Sequence, residues 1–283
     1  MRHRAVTALG VLAVAVLLAV SGCAKKPEPL VAAPPPSTLD LVNRHGELRV
    51  CSTGDARPFS VRDPGGRWSG TDVDLAGDLA AQLGVRLALV PTTWTTMLDD
   101  LGGGRCDLVM SGVSVTLGRA ARAFVSQPYL TDTKAAVVRC SDTARFGLLD
   151  QIDRPGVRAA VTPGGSSETF ARDRLHAATV TSFPDIGAAD QGIATSRADV
   201  LITDSAVARE QARLHPGQLC VPNPDRPIAA DQKAYLLPRG DVVFQQYVDL
   251  WIKQALLEGT FRRASQPPAD GLTAAPSLTA APR

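Results

Sequence analysis

The sequence predicts an α/β protein of two lobes, and three observations carry that expectation. Short apolar strands alternate with amphipathic helices twice along the chain. Its 283 residues allow one large domain or two of ordinary size. With 45% apolar and 20% charged residues the composition is that of a globular protein, which excludes a disordered or collagen-like chain.

In the first set, Leu48–Cys51 is a short strand after Gly46. From Asp72 to Leu83, Val73, Ala76, Leu79, Ala80 and Leu83 fall at helical spacing, with Thr71 or Asp72 as cap and Gly84 as stop. Val85–Val90 is the next strand, closed by Pro91. A short helix over Thr95–Leu101, a turn at Gly102-Gly103-Gly104 and a strand over Asp107–Met110 follow. The second set opens with Ala135–Arg139 and Val157–Val161. A glycine loop then leads to a helix over Ser167–Leu175, a strand at Thr179–Thr181, a helix over Ile186–Ser196 and a strand at Val200–Thr203. Tyr235–Leu237 and an amphipathic helix over Phe244–Leu257 complete the pattern.

The N-terminus has the form of an export signal. Arg2, His3 and Arg4 precede an apolar run from Ala5 to Val20 that is short for a membrane span, and small residues follow it. Residues 1–22 are therefore expected to be a signal peptide. Val20-Ser21-Gly22-Cys23 resembles a bacterial lipobox, which makes Cys23 the expected site of lipidation; the alternative is a cleaved signal with an incidental Cys. The proline-rich stretch 23–38 reads as a stiff tether, and 266–283, rich in Pro, Ala, Ser and Thr, as a loose tail. The expected address is the cell envelope, lipid-anchored to the outer face of the cell membrane or periplasmic.

Four further cysteines remain, an even number that suggests disulfides outside the cytoplasm. The preferred pairing of the three available is Cys140–Cys220 with Cys51–Cys106, buried free thiols being the alternative. Without Arg2 and Arg4 the formal charge is zero, so neither nucleic acid nor an anionic membrane surface is an expected partner. His3, His45, His176 and His215 lack zinc-ligand spacing, and no nucleophile elbow, P-loop or dinucleotide fingerprint occurs. No metal and no cofactor is expected.

In open parallel sheets, ligands bind outside the carboxyl ends of the strands. Ser52–Phe59, Trp94, Ser111–Thr116, Thr162–Glu168 and Thr203–Ser205 sit there, with Arg119 a little further on. Their amides, hydroxyls, aromatic surface and carboxylates suit a small polar or anionic ligand held between two lobes.

Several of these stretches carry a family resemblance. Ser114-Val115-Thr116-Leu117-Gly118-Arg119, Phe124–Leu130, Gly164-Gly165-Ser166-Ser167-Glu168 and Ala198–Asp204 resemble the type II periplasmic binding proteins for amino acids. Within that superfamily the chain is most similar to the periplasmic cyclohexadienyl dehydratases, which convert prephenate to phenylpyruvate and arogenate to phenylalanine. The stretches that carry this are Ser52–Asp55 with Pro58–Ser60, Val90–Trp94, Met110–Ser114, Cys140 through Ala144–Phe146, Gln151–Val157, Arg213–Pro216 and Lys233–Arg239. The resemblance implies a two-lobe fold, each lobe a mainly parallel sheet flanked by helices. One lobe would be 39–130 plus 234–265 and the other 136–228, joined by crossing segments at 131–135 and 229–233 that bend on closure.

The same resemblance implies roles. Arg119 falls where the family's carboxylate-binding Arg lies, a planar fork suited to bidentate pairing; otherwise it is a surface Arg like Arg122. Ser114 and Thr116 would offer hydroxyls and amides to that carboxylate, although the dehydratases carry Asn where this chain has Thr116. Gly165 and Ser166, opening a helix, form an anion cradle or a plain turn. Trp94 and, more weakly, Phe59 would wall the substrate ring or simply pack. Lys134 would meet a ring carboxylate or be an exposed hinge lysine. Asp204 matches the carboxylate that takes an α-amino group. Glu168 matches the dehydratases' general acid, which must keep its proton in a dry cleft; in its alternative role it only complements the helix dipole. Ser167 stands where Asn would be expected beside that Glu.

The expected function is therefore a lyase performing decarboxylative dehydration of prephenate and/or arogenate. The alternative is a non-catalytic amino-acid-binding lipoprotein serving an ABC permease.

Overall fold

The computed structural model describes residues 35–265. The signal segment 1–22, Cys23, nearly all of the 23–38 tether and the 266–283 tail lie outside the described residues. Helix α1 (Thr38–His45) begins where the tether was expected to end. The Ser37 hydroxyl accepts from the Leu39 N–H, the Asp40 carboxylate accepts from the Ser37 N–H, and left-handed Gly46 closes the helix.

The chain continues through β1 (Glu47–Ser52), β2 (Asp55–Ala56), β3 (Ser60–Arg62), β4 (Trp68–Ser69), α2 (Thr71–Leu83), β5 (Arg86–Pro91), α3 (Met97–Gly102), β6 (Leu108–Val109), α4 (Leu117–Ala120) and β7 (Phe124–Val125). Next come β8 (Leu130–Arg139), α5 (Leu149–Ile152), β9 (Arg158–Val161), α6 (Ser166–Arg174), β10 (Thr179–Ser182), α7 (Ile186–Ala194), β11 (Val200–Asp204), α8 (Ser205–Leu214), β12 (Leu219–Cys220) and β13 (Ala229–Lys233). It returns with β14 (Leu236–Leu237), α9 (Val242–Leu257) and α10 (Thr260–Ala264).

Two sheets organise two lobes within the compact unit that begins at Pro36. The first has strand order β5-β1-β6-β14-β7, parallel through β5, β1 and β6, with β14 antiparallel to both neighbours. Helix α2 packs against it through Leu75, Ala76, Leu79 and Ala80, in one core with Val248, Trp251 and Ile252 of α9. Its N-cap is Gly70 rather than Thr71 or Asp72, because Asp72 turns its carboxylate into the protein. The second sheet has order β10-β9-β11-β8-β12, with β10, β9 and β11 parallel and β8 antiparallel to β11. Period-two alternation splits its two cores: Val137 and Leu201 face one, Val138, Val200 and Ile202 the other.

The segments 131–135 and 229–233 form an antiparallel strand pair, with Asp132 opposite Asp231 and Lys134 opposite Ala229. Both disulfides, Cys51–Cys106 and Cys140–Cys220, are formed. The small sheet β2-β3-β4 and helix α8 were not anticipated.

Asp190 on α7 is 1% exposed, and among the described residues its Oδ1 has no hydrogen-bond partner. Burial, aided by the charge of Asp185, pushes its pKa up to about 8. A carboxyl raised above its unfolded value stabilises the fold at low pH and loses that contribution as pH rises toward 8. Between pH 5 and pH 7 the loss is about 2.5 kcal/mol. The Asp190→Asn variant is expected to lack this slope, so its melting temperature gains on the parent as pH rises. Parallel pH dependence in urea unfolding of the two proteins would refute this.

Candidate functional site

The carboxyl ends of β1, β9 and β11 converge on a cleft between the sheets, about 450 Å³ counting the open space at its mouth. Phe59, Trp94 and Ser114 line it from the first lobe, Gly165, Ser166 and Asp204 from the second. The lobes touch across it. The Ser166 hydroxyl donates to the Ser114 hydroxyl at 2.9 Å. A side chain at Gly164 (φ +75°) would lie 2.8 Å from the Thr95 backbone nitrogen, so only glycine allows this approach. Gly112 (φ +63°) has the same role beneath Phe59, whose ring would lie 2.4 Å from a Cβ.

Arg119 is buried, 6% exposed. Its Nη1 donates to the Ser114 carbonyl at 2.7 Å, and its guanidinium lies 5.8 Å from the Trp94 ring centroid. Among the described residues it makes no ion pair, and burial lowers its pKa against the opposing pull of Asp204 and Asp231. A desolvated cation without a counterion is built to receive an anion. Thr116 contributes indirectly: its Oγ1 accepts from the Arg119 N–H at 3.2 Å, capping α4, and it does not line the cleft. Trp94 is fixed by its Nε1, which donates to Asp55 at 3.0 Å. Ser166 and Ser167 open α6, whose first amides have no carbonyl partner within the helix.

Lys134 corrects the expectation of a hinge lysine that is exposed or free for a ring carboxylate. It is 5% exposed, and its three N–H donors are spent on Asp204, Ser166 (2.7 Å) and Asp231 (3.0 Å). Lys233, fully buried, is saturated in the same way by Asp204, Ser114 (2.9 Å) and Asp231 (3.1 Å). Ser114 in turn donates to Asp231 at 2.7 Å. Each oxygen of Asp204 thus faces one ammonium. Burial alone would raise the Asp204 pKa, but the two lysines outweigh it and hold the carboxyl well below its usual range. Lys233 is raised because Asp204 and Asp231 outweigh the opposing effect of burial. Although Asp204 is the N-cap residue of α8, it makes no capping bond. Asp132 supplies that contact from β8, accepting from the Ser205 hydroxyl and the Ala206 N–H.

Glu168 stands at the third position of α6, outside the cleft lining. It accepts from the Gly164 N–H (2.8 Å), Arg172 (2.8 Å) and the Ser182 hydroxyl (3.1 Å). Partial burial favours its neutral form, yet these bonds outweigh burial and hold its pKa below the usual value. In this arrangement the carboxylate is ionised, contrary to the expectation of a dry, protonated acid.

Asp55, Asp132, Asp231 and Lys233 escaped the sequence reading as site residues. A signal existed for three of them: Asp132-x-Lys134 and Asp231-x-Lys233 repeat the same spacing in the two crossing segments. Strand periodicity puts both members of each pair on one face.

A cyclohexadienyl dehydratase of Pseudomonas aeruginosa is 45% identical over 227 residues, covering 80% of this chain and 84% of that protein. An L-cystine-binding protein of Escherichia coli is 26% identical, covering 91% and 92%. Among solved structures, an ancestral amino acid-binding protein described as a precursor of cyclohexadienyl dehydratase superposes with TM-score 0.75 at 33% identity, covering 81% of this chain and 97% of that one. An ancestral cyclohexadienyl dehydratase gives TM-score 0.51 at 42% identity, covering 81% and 95%. Residues 48–267 match the model of the bacterial extracellular solute-binding proteins, family 3, and the chain belongs to that family.

Proposed function

We propose that this chain is an exported cyclohexadienyl dehydratase-like lyase that converts prephenate to phenylpyruvate and/or arogenate to phenylalanine. The observation that carries the reading is the buried guanidinium of Arg119, without an ion pair among the described residues, over the ring of Trp94, which itself lines the cleft beside the N-terminus of α6. A carboxylate on a ring-bearing ligand meets all three. The 45% identity to a dehydratase over most of both chains supports the same activity.

In the reaction the ring C–O bond breaks and the hydroxyl leaves as water, taking a proton from an acid. The ring–carboxyl C–C bond breaks with it, carbon dioxide leaves, and the bond's electron pair completes the aromatic ring. Arg119 and the amides of α6 hold carboxylate, Trp94 and Phe59 wall the ring, and the contact of the lobes through Ser166 and Ser114 excludes water. Glu168 acts as the acid after leaving Arg172 and Ser182, a rotation starting next to Ser166 and Ser167, which already line the cleft. Cys23 tethers the protein by lipid to the outer face of the membrane.

The second reading is an amino-acid-binding lipoprotein of an ABC importer. The ionised, Arg172-bound state of Glu168 favours it. Incubating the purified protein with prephenate and following phenylpyruvate separates the two. Product formation supports the lyase. No product, combined with stabilisation against heat by an amino acid, supports the receptor.

A further inference from the structure

Asp72, the second residue of α2, is 1% exposed and does not line the cleft. Its carboxylate accepts three hydrogen bonds, and each comes from a segment on which the cleft depends. The Gly112 N–H donates to Oδ2, fixing the start of the loop 112–116, which brings Ser114 to the cleft and gives Arg119 its carbonyl acceptor. The Tyr129 hydroxyl donates to the same oxygen at 3.0 Å, and the Tyr235 hydroxyl to Oδ1 at 3.3 Å. Tyr129 directly precedes β8, and its N–H donates to the Lys233 carbonyl; Tyr235 stands two residues after the end of β13. The two tyrosines therefore root both lobe-joining strands in the first lobe, with their rings stacked at 4.7 Å. The backbone of Asp72 adds a fourth tie, its N–H donating at 2.8 Å to the carbonyl of Phe59 in the cleft wall.

Stability alone does not account for an acid at this position. Burial outweighs the three bonds and the nearby charge of Lys233 and pushes the pKa up to about 6. At pH 7 the group is largely ionised, and a carboxyl raised above its unfolded value has by then lost its stabilising contribution. What the carboxylate supplies is geometry, because it accepts from donors on three separate segments at once. We propose that Asp72 is a positioning residue for the cleft, holding the Ser114–Arg119 end in register with the two lobe-joining strands. Its part in catalysis rests on the dehydratase reading: it acts through Ser114 and Arg119 and touches no substrate. A misplacement of about 1 Å at a catalytic group can lower the rate about 10²-fold.

Asp72→Val in the full chain keeps much of the side chain's size and removes all three bonds. Its kcat for prephenate is expected to fall at least about tenfold. Amide hydrogen exchange over 112–116 is expected to quicken at least about tenfold while α9 stays protected. Asp72→Asn keeps an acceptor for Gly112 and Tyr129 and turns a donor toward Tyr235, so it should recover most of both losses without lowering the melting temperature at pH 7. If Asp72→Val does not fold, the double variant Tyr129→Phe with Tyr235→Phe keeps the ring stack and removes two of the three bonds. It is expected to move both readouts in the same direction. Unchanged exchange over 112–116 would overturn the proposal, as would a lower melting temperature with unaltered kcat, or no recovery in Asp72→Asn. A wild type that converts no prephenate defeats the dehydratase reading by itself, and the exchange rates still decide whether Asp72 positions the cleft.

Discussion

Replacing Arg119 by methionine is expected to lower kcat/KM for prephenate about 10³-fold while leaving the fold intact. The separation of these effects follows from where the guanidinium sits. It is buried, makes one hydrogen bond to the Ser114 carbonyl and has no ion-pair partner among the described residues. Methionine keeps much of the volume and the contact with Trp94 and removes a desolvated charge, a change that is often neutral or stabilising. A substrate carboxylate brought to the same spot would face an apolar wall. Losing one partner of a buried, hydrogen-bonded charge pair weakens binding by about 2–5 kcal/mol. Arg119→Lys should recover part of the loss, since it restores the charge without the planar fork. Steady-state kinetics and thermal melts on the three proteins decide the matter. If Arg119 is only structural, activity and melting temperature should fall together, and lysine should rescue neither.

Much of the fold was legible because its driving pattern is local. The helical spacing of Leu75, Ala76, Leu79 and Ala80 and the period-two alternation along β8 and β11 each report burial directly. The small sheet escaped because its strands are two or three residues long, below the length at which alternation can be read. Helix α8 escaped because its buried face is carried by Ser205, Val207, Ala208 and Gln211, too weakly apolar a set to stand out as a stripe. The site divides along the same line. Residues that act through their own backbone position, such as Gly165 at the start of α6, could be found from motifs. The working state of residues that act through partners could not. The state of Glu168 depends on Arg172 one turn along and on Ser182 in β10. The availability of Lys134 depends on Asp231, brought opposite Asp132 by strand pairing.

Glu168→Gln is expected to reduce kcat for prephenate by about 10²–10⁴-fold, the usual contribution of a general acid. The resting structure sets a further condition, because the carboxylate is held ionised by Arg172, the Gly164 N–H and the Ser182 hydroxyl. An acid must be protonated to act, so activity falls as pH rises through its pKa. Whatever holds that pKa down moves the fall to lower pH. Removing the guanidinium in Arg172→Ala should raise the Glu168 pKa and shift the basic limb of the kcat profile upward. At pH 7 this variant should match or exceed the parent, while Glu168→Gln stays slow at every pH. If Glu168 instead only completes the first turn of α6, its replacement should change stability by no more than ~1 kcal/mol. Turnover would then be unaffected, and neither variant would move the pH profile. The pair of profiles therefore distinguishes a proton donor released from Arg172 and Ser182 from a carboxylate that merely fastens the α6 turn to β10.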